Sequence, residues 1–131
     1  MSLATRITAL ASRIGLEVKT KIDASHPGVA KAWVCFGYAG GQVVIRASYN
    51  VGSITRLGTG RYRVPFANAM PNADYCWVAS TLKDTNIFGV MQRIALVRAS
   101  GDTQTAQHLD VSCASSTAAT DADEFNVTVF H

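Results

Sequence analysis

The chain opens with apolar residues spaced as on one face of a helix. Leu3, Ile7, Leu10 and Ile14 follow one another at alternating intervals of four and three residues. This spacing matches the 3.6-residue repeat of an α-helix, whereas strand residues repeat every second position. The pattern predicts an amphipathic helix within residues 2–22, with its apolar stripe on one side.

The predicted helix needs a partner, because short helices are marginal when isolated and Gly15 lowers helicity further. Arg6 and Arg13 lie off the apolar stripe. Two interpretations remain open from the sequence. Either the stripe packs against the chain's own β-domain, or it joins identical helices or docks on a larger assembly.

Beyond residue 30 the apolar residues alternate with other residues at the period of a strand. The alternating segments are residues 31–38, 42–48, 53–57, 61–66, 74–82, 87–99, 103–114 and 124–131. The sixth segment also fits a helix, and its alternation favours a strand. The sequence therefore predicts a mainly β protein: an antiparallel β-sandwich or jelly-roll-like domain of about eight strands over residues 25–131, preceded by a helical segment over residues 1–24.

The alternation also assigns faces to the strands. Segments 31–38 and 74–82 carry apolar residues on both faces. This predicts that the first is central in a sandwich or covered on both sides, and that both faces of the second are covered. In the second segment, Val43, Ile45 and Ala47 are expected to face one way. These assignments predict a core between two sheets.

A hairpin is predicted around Gly58-Thr59-Gly60. A three-residue loop places Ile54 opposite Val64, so that the apolar residues of both strands share one face. A two- or four-residue loop would split that set between the faces. We therefore expect Gly60 to adopt the left-handed conformation that glycine tolerates.

Three large aromatic residues fall out of phase with the core. Trp33, Tyr49 and Phe130 lie opposite the clearest core face of their segments. We expect them to be partly exposed in a single chain. Large exposed apolar residues mark interfaces, and assembly into a trimer would bury them.

Residues 53–75 read S-I-T-x-x-G-x-G-x-Y-x-V-x-F-x-x-A-M-P-x-A-x-Y, preceded by A-W-V-x-F at residues 32–36 and I-R-A-S at residues 45–48. This pattern resembles a module that recurs in tail-fibre and related virion structural proteins of tailed bacteriophages, a family of trimeric fibres and spikes. The match runs over residues 31–77. Residues 3–21 are similar to the short helical starts of such proteins.

The resemblance implies a homotrimer located in the virion and assembled in the host cytoplasm. A short tail fibre or tail-tip component involved in host attachment is the expected role, with other virion proteins and a host-surface glycan or protein receptor as partners. Leu3, Ile7, Leu10 and Ile14 are the expected oligomerisation or docking residues. The alternatives are a capsid decoration or head fibre protein and a stand-alone carbohydrate-binding β-module.

Composition excludes several other classes of function. The formal net charge is +3, and the 12 basic residues are spread along the chain rather than clustered as in nucleic-acid binders. No apolar run approaches the ~20 residues of a membrane span, so membrane insertion is not expected. Cys35, Cys76 and Cys113 lack the spacing of a zinc site and are expected to be three buried, reduced thiols.

Catalytic residues are not evident. His108 and Asp110 would share a strand face near Ser112 and Cys113, but no oxyanion-hole motif or orienting group accompanies them. They are interpreted as surface residues of an edge strand. We therefore expect neither enzymatic activity nor a cofactor.

Charged residues suggest two further sites. Asp121, Asp123 and Glu124 carry oxygen ligands but lack the glycine and spacing of a calcium loop, so a solvated turn is expected and no metal. Arg56, Arg61 and Arg63 cluster on the hairpin. They form either a solvated face or, with Trp33, a surface for an acidic partner or a negatively charged glycan.

Overall fold

The computed structural model describes residues 1–83, 94–97, 100–115 and 118–131. One α-helix, α1, spans Leu3–Lys21. It begins at Ser2, whose hydroxyl oxygen accepts a hydrogen bond from the backbone N–H of Thr5 at 3.2 Å. This N-cap satisfies one of the donors that every helix start leaves open.

The rest of the described chain is mainly β. Its strands are β1 (Ala32–Ala39), β2 (Gln42–Tyr49), β3 (Thr55–Gly58), β4 (Arg61–Pro65), β5 (Cys76–Leu82), β6 (Ile94–Leu96), β7 (His108–Ala114) and β8 (Glu124–Phe130). They form two antiparallel four-stranded sheets, the first in the order β2-β1-β8-β5 and the second in the order β3-β4-β7-β6. The predicted fold class, an N-terminal helix followed by a β-sandwich, is confirmed.

The core lies between the two sheets and is centred on aromatic rings. The Phe36 ring stacks on Phe125 of the same sheet at 5.2 Å and meets Tyr62 of the second sheet edge-on, also at 5.2 Å. Each fully buried side chain of this size stabilises the fold by about 1.5–3 kcal/mol. The described core consists of Ala32, Val34, Phe36, Ile54, Tyr62, Val64, Phe66, Met70, Tyr75, Leu109, Val111, Cys113, Ala122, Phe125, Val127 and Val129.

The hairpin between β3 and β4 has the predicted register. Thr55 pairs with Arg63 and Arg56 with Tyr62, which continues to Ile54 opposite Val64. Gly60 has a φ of 68°. The loop is shorter than predicted, because Gly58 already pairs with Arg61 and an irregularity before it absorbs the extra residue.

The prediction for β2 is wrong at Ala47. The register between β1 and β2 shifts between Cys35 and Phe36, so that Phe36 pairs with Ile45 and Cys35 pairs with Ala47. Such a bulge inserts one unpaired residue, here Arg46, and reverses the faces beyond it. Ile45 therefore lies on the core side, and Ala47 lies on the opposite side with Cys35.

The prediction that β5 is covered on both faces is also wrong. β5 is an edge strand of the first sheet, and the sandwich core covers only one of its faces. Cys76, Val78 and Leu82 point away from the core and are exposed. Their apolar character therefore remains unexplained by packing within the described chain.

Only one of the three thiols is buried, contrary to prediction. Cys113 lies in the core, Cys35 is half-buried and Cys76 is exposed. The reason is the phase of the strands, since Cys35 and Cys76 belong to the outer side of the first sheet. Strand alternation had shown their phase, but not that the chain leaves that side uncovered.

The predicted sixth strand, residues 87–99, lies mostly outside the described residues. Its part Ile94–Leu96 forms β6, which pairs antiparallel with β7. β7 is consequently an inner strand of the second sheet, and the interpretation of His108 and Asp110 as surface residues of an edge strand is wrong.

The β-domain has two distinct ends. We call the base the end at which β1 begins and the chain from α1 enters, and the tip the opposite end. The turn at Gly40-Gly41 between β1 and β2 lies at the tip, together with the Thr59-Gly60 turn. Both turns use glycines with positive φ, a conformation that glycine adopts without strain.

Candidate functional site

The apolar stripe of α1 contacts no other part of the described chain that would bury it. Leu3 is 73% exposed, and Ile7, Leu10 and Ile14 are 55–58% exposed. Of the two interpretations of this helix, packing against its own β-domain is not what the structure shows. The four predicted assembly residues lie together on one exposed face, as their spacing requires.

Apart from the N-cap at Ser2, this helix has little that would stabilise it in isolation. Its first turn contains no acidic residue to oppose the helix dipole. Gly15 lies in its interior, and a Cβ added there would meet nothing within 4 Å beyond the helix's own backbone, so no close contact explains the glycine. Since Gly costs about 1 kcal/mol relative to Ala in a helix, the isolated segment is marginal.

A second uncovered apolar surface lies on the first sheet. We call the side turned away from the core the outer face. Trp33, Tyr49 and Val78 lie on it and are 39%, 52% and 61% exposed. The outer face includes Trp33, Cys35, Val44, Ala47, Tyr49, Cys76, Val78, Ser80, Leu82, Glu124, Asn126, Thr128 and Phe130.

These side chains form a continuous row across the four strands. Trp33 pairs with Tyr49 on one side and with Thr128 on the other, and Thr128 pairs with Val78. Cross-strand neighbours are about 5 Å apart, so the row forms one surface. Phe130 is half-buried beside this row, which agrees with the phase predicted for Trp33, Tyr49 and Phe130.

Charge on the outer face is confined to its ends among the described residues. Arg46 and Glu124 form an ion pair of 3.4 Å toward the tip. At the base, the Nζ of Lys31 donates to the carbonyl oxygens of Ala24 and His26. The centre of the face is therefore uncharged, which favours contact with another protein surface over solvation.

The predicted arginine cluster is engaged within the fold. Arg61 Nη2 lies 2.6 Å from Asp102, and Arg63 binds Asp110 through two nitrogens at 2.7 and 2.9 Å. Both carboxylates are almost fully buried. The sequence predicted either a solvated face or a partner surface, and neither interpretation included these ion pairs. The arginines therefore have a structural role within the fold.

Asp110 is buried beneath Thr103, which the sequence assigned to a strand over residues 103–114 but which precedes β7. The backbone N–H of Thr103 donates to Asp110 Oδ2 at 2.9 Å, and the Asp110 N–H donates to the Thr103 carbonyl. Burial alone would raise the pKa of Asp110, but the hydrogen bonds from Arg63 and Thr103 outweigh it and hold that pKa below its ordinary value.

Arg56 belongs to a third network, at the tip. It donates to Asp121 at 2.7 and 3.2 Å and stacks over the Tyr38 ring at 4.3 Å. Asp121 also accepts the Tyr62 hydroxyl and the Gly60 N–H. Burial tends to raise the pKa of Asp121, but these bonds outweigh it and the pKa is lowered. The network fixes the hairpin loop against the chain before β8.

The acidic stretch before β8 has basic partners. Besides Asp121, Asp123 lies 2.8 Å from Lys83, and Glu124 faces Arg46. No cluster of potential metal ligands occurs among the residues that the structure describes. The solvated turn predicted here is instead a set of ion pairs that joins three parts of the chain.

A cavity of about 370 Å³ opens at the base, where the chain from α1 reaches the sandwich. Tyr49, Met70 and Pro71 form much of its apolar wall. Asn50, which has a φ of 53°, anchors the nearby loops by donating to the carbonyls of Lys31 and Asn68. The sequence did not predict this cavity, because its walls come from loops without periodicity.

Within the described part of the chain, no helix combines the length and apolarity needed to cross a membrane. Comparison with protein-family models, with curated protein sequences and with solved structures found no match to this chain.

Proposed function

We propose that this protein is a structural component of a tailed-bacteriophage virion, assembled as a homotrimer and acting as a short tail fibre or tail-tip component in host attachment. The observation that carries the proposal is the unburied stripe of α1, together with the resemblance of residues 31–77 to a virion module. A marginal helix that carries four large apolar residues on one face is stable only when another surface covers that face.

Identical helices are the simplest cover for this stripe. In heptad terms Ile7 and Ile14 occupy a positions, and Leu3 and Leu10 occupy d positions. Ile at a with Leu at d suits two strands, but Ala4 and Ala11 beside the seam widen the apolar face in the manner of larger bundles. The proposal of three copies draws on this wider face and on the resemblance.

The helical segment and the glycine turns lie at opposite ends of the β-domain, which suits an attachment role. The helical segment enters at the base, while the glycine turns at Gly40-Gly41 and Thr59-Gly60 lie at the tip. In the proposed arrangement the helices hold the protein on the particle and the tips point toward the host. No catalytic step, cofactor or metal is part of this proposal.

Antibody labelling of purified particles tests the assignment. Gold-labelled antibodies against the β-domain, viewed by negative-stain microscopy, are expected to mark the tail tip. Labels around the head would favour the capsid decoration alternative. Particles that never carry label, from cells in which the chain is abundant, would contradict a virion role.

A carbohydrate-binding module is the second candidate, and the base cavity favours it. Its volume is within the range of small-ligand sites, and the exposed Tyr49 ring beside it is the kind of platform on which sugars stack. Calorimetry against host-surface glycans, with Tyr49→Ala as the comparison, distinguishes the two. Binding that depends on Tyr49 in a monomeric protein would favour this candidate over the virion component.

A further inference from the structure

The outer face carries a depression next to its largest side chain. A hollow of about 220 Å³ lies between β5 and β8. Its walls are formed by Val78, Ala79, Ser80, Asn126 and Thr128. Ala79 and Ser80 in its lining are small, whereas Val78 is larger and 61% exposed.

The size and chemistry of this hollow suit one large side chain. It is smaller than the ~300 Å³ at which sites for small molecules begin. Its floor offers oxygen atoms: the Ser80 hydroxyl, which accepts from Asn126 Nδ2 at 3.3 Å, and the Thr128 hydroxyl. A buried indole needs such an acceptor for its N–H, so a tryptophan fits better than an aliphatic residue.

Trp33 projects from the same face, two strands from Val78 in the same row. It does not line the hollow of its own chain, and Thr128 lies between Trp33 and Val78 on β8. We propose that Trp33 of one copy inserts into the depression of a neighbouring copy, so that the outer face is the contact between β-domains. This inference rests on the proposed assembly and specifies how its copies meet.

A second copy is the occupant that the geometry favours, because projection and hollow lie side by side on one surface. In a ring of three copies the β1 side of each outer face meets the β5 side of the next, and the three-fold axis runs parallel to the strands. An axis in that direction keeps the base of every copy at the same end. The helices then leave the base together, as a parallel bundle requires.

The combined area of the outer face and the stripe of α1 agrees with a single interface that uses both surfaces. Four strands, of seven or eight residues each, present about 19 by 24 Å, or roughly 450 Å². The stripe of a helix about 28 Å long adds roughly 280 Å². Neither surface alone reaches the ~800 Å² per partner of a stable interface, but together they approach it.

Engineered disulfides test the contact directly. In a background of Cys35→Ser and Cys76→Ser, the chain receives Trp33→Cys and Val78→Cys together. Within one chain, two strand spacings of ~4.8 Å separate these positions, which is too far for an internal disulfide. In the proposed contact, position 33 of one copy lies against position 78 of the next. Mild oxidation is expected to give covalent trimers on a non-reducing gel, and neither single variant is expected to cross-link.

The single variants provide the contradicting outcome. Efficient cross-linking by Trp33→Cys alone would mean that Trp33 faces Trp33, and the inference would be wrong. Failure of the double variant to cross-link, while light scattering shows it to be trimeric, would also overturn it but leave the proposed assembly intact. A monomeric wild-type chain would overturn both.

A second variant tests the contact with Trp33 left in place, because replacing Trp33 can itself weaken assembly. Ser80→Phe fills the hollow from within its own chain, and Ser53→Phe adds the same ring at an exposed loop position as a control. Assembly of Ser80→Phe is expected to require at least about 30-fold higher concentration, the effect of losing one interface hot spot. Equal assembly of the two variants would contradict the insertion of Trp33.

Discussion

Arg63 holds Asp110 with two parallel hydrogen bonds, of 2.7 and 2.9 Å, on the side of the second sheet away from the core. Asp110 is fully buried, and Arg63 supplies the positive charge that offsets the burial of its carboxylate. Replacement of Arg63 by Ala is expected to reduce the free energy of unfolding by about 2–4 kcal/mol. Denaturant titration measures the loss, and Arg46→Ala, which breaks the more exposed pair with Glu124, is expected to cost much less.

The same pair predicts loss of stability in acid. The pKa of Asp110 is lower in the folded protein than its ordinary value of 3.8, and that of Asp121 is lowered too. A lowered pKa stabilises the folded state above the unfolded pKa, and this contribution disappears as the pH falls below it. Thermal melts are expected to show a steep drop in Tm below about pH 4. In Asp110→Asn the drop is expected to be shallower, and an unchanged slope would contradict the assignment.

Gly60 is expected to tolerate no side chain. An added Cβ would lie 2.5 Å from the carbonyl oxygens of both Cys113 and Thr120, and φ is positive. Gly60→Ala is therefore expected to cost about 3 kcal/mol, from backbone strain and overpacking together. Gly40→Ala is the matched control, because its φ is 61° and nothing lies within 4 Å. Equal melting temperatures for the two variants would show that the close approach at Gly60 is wrong.

Removal of divalent cations is expected to leave the protein unchanged. Asp121, Asp123 and Glu124 each face a basic side chain, so their charges are neutralised without a metal. Melting in excess chelator is expected to give the same Tm as melting with calcium added. A Tm lower by several degrees in chelator would implicate this acidic stretch in metal binding.

The apolar stripe of α1 is expected to be necessary for assembly. Ile7→Asp combined with Leu10→Asp places two charges in the seam, and each buried side chain of this kind contributes about 1.5–3 kcal/mol. Sedimentation velocity is expected to show smaller species than wild type at equal concentration. Thr5→Asp with Ser12→Asp adds the same charge outside the stripe and is expected to assemble normally. If both double variants assemble like wild type, the helix is not the assembly element.

Periodicity was sufficient to predict the elements of this fold. The 3.6-residue repeat of Leu3, Ile7, Leu10 and Ile14 predicted α1, and period-two alternation predicted the sheets. The hairpin register followed from keeping Ile54 opposite Val64, because a shift of one residue would have exposed the apolar set. These features depend on local spacing alone, which a single sequence displays.

Which strand faces and side chains are buried by other parts of the molecule was not predictable in the same way. The bulge at Arg46 has no local signal, and it moved Ala47 to the outer face. The burial of Asp110 depends on Thr103, which lies in a loop before β7. Alternation assigned that loop to the strand over residues 103–114, so it gave no sign that the chain turns back there. The sequence of an apolar strand such as β5 does not show whether its second face is covered by its own chain or by another molecule.

The mass of the intact chain in solution tests the central claim most directly. Light scattering coupled to size exclusion is expected to give three times the 14.0 kDa mass of one chain. Such a trimer would provide the cover that the stripe of α1 and the outer face around Trp33 both lack. A single species of 14.0 kDa across the accessible concentration range would contradict the homotrimer and, with it, the proposed role in a virion fibre.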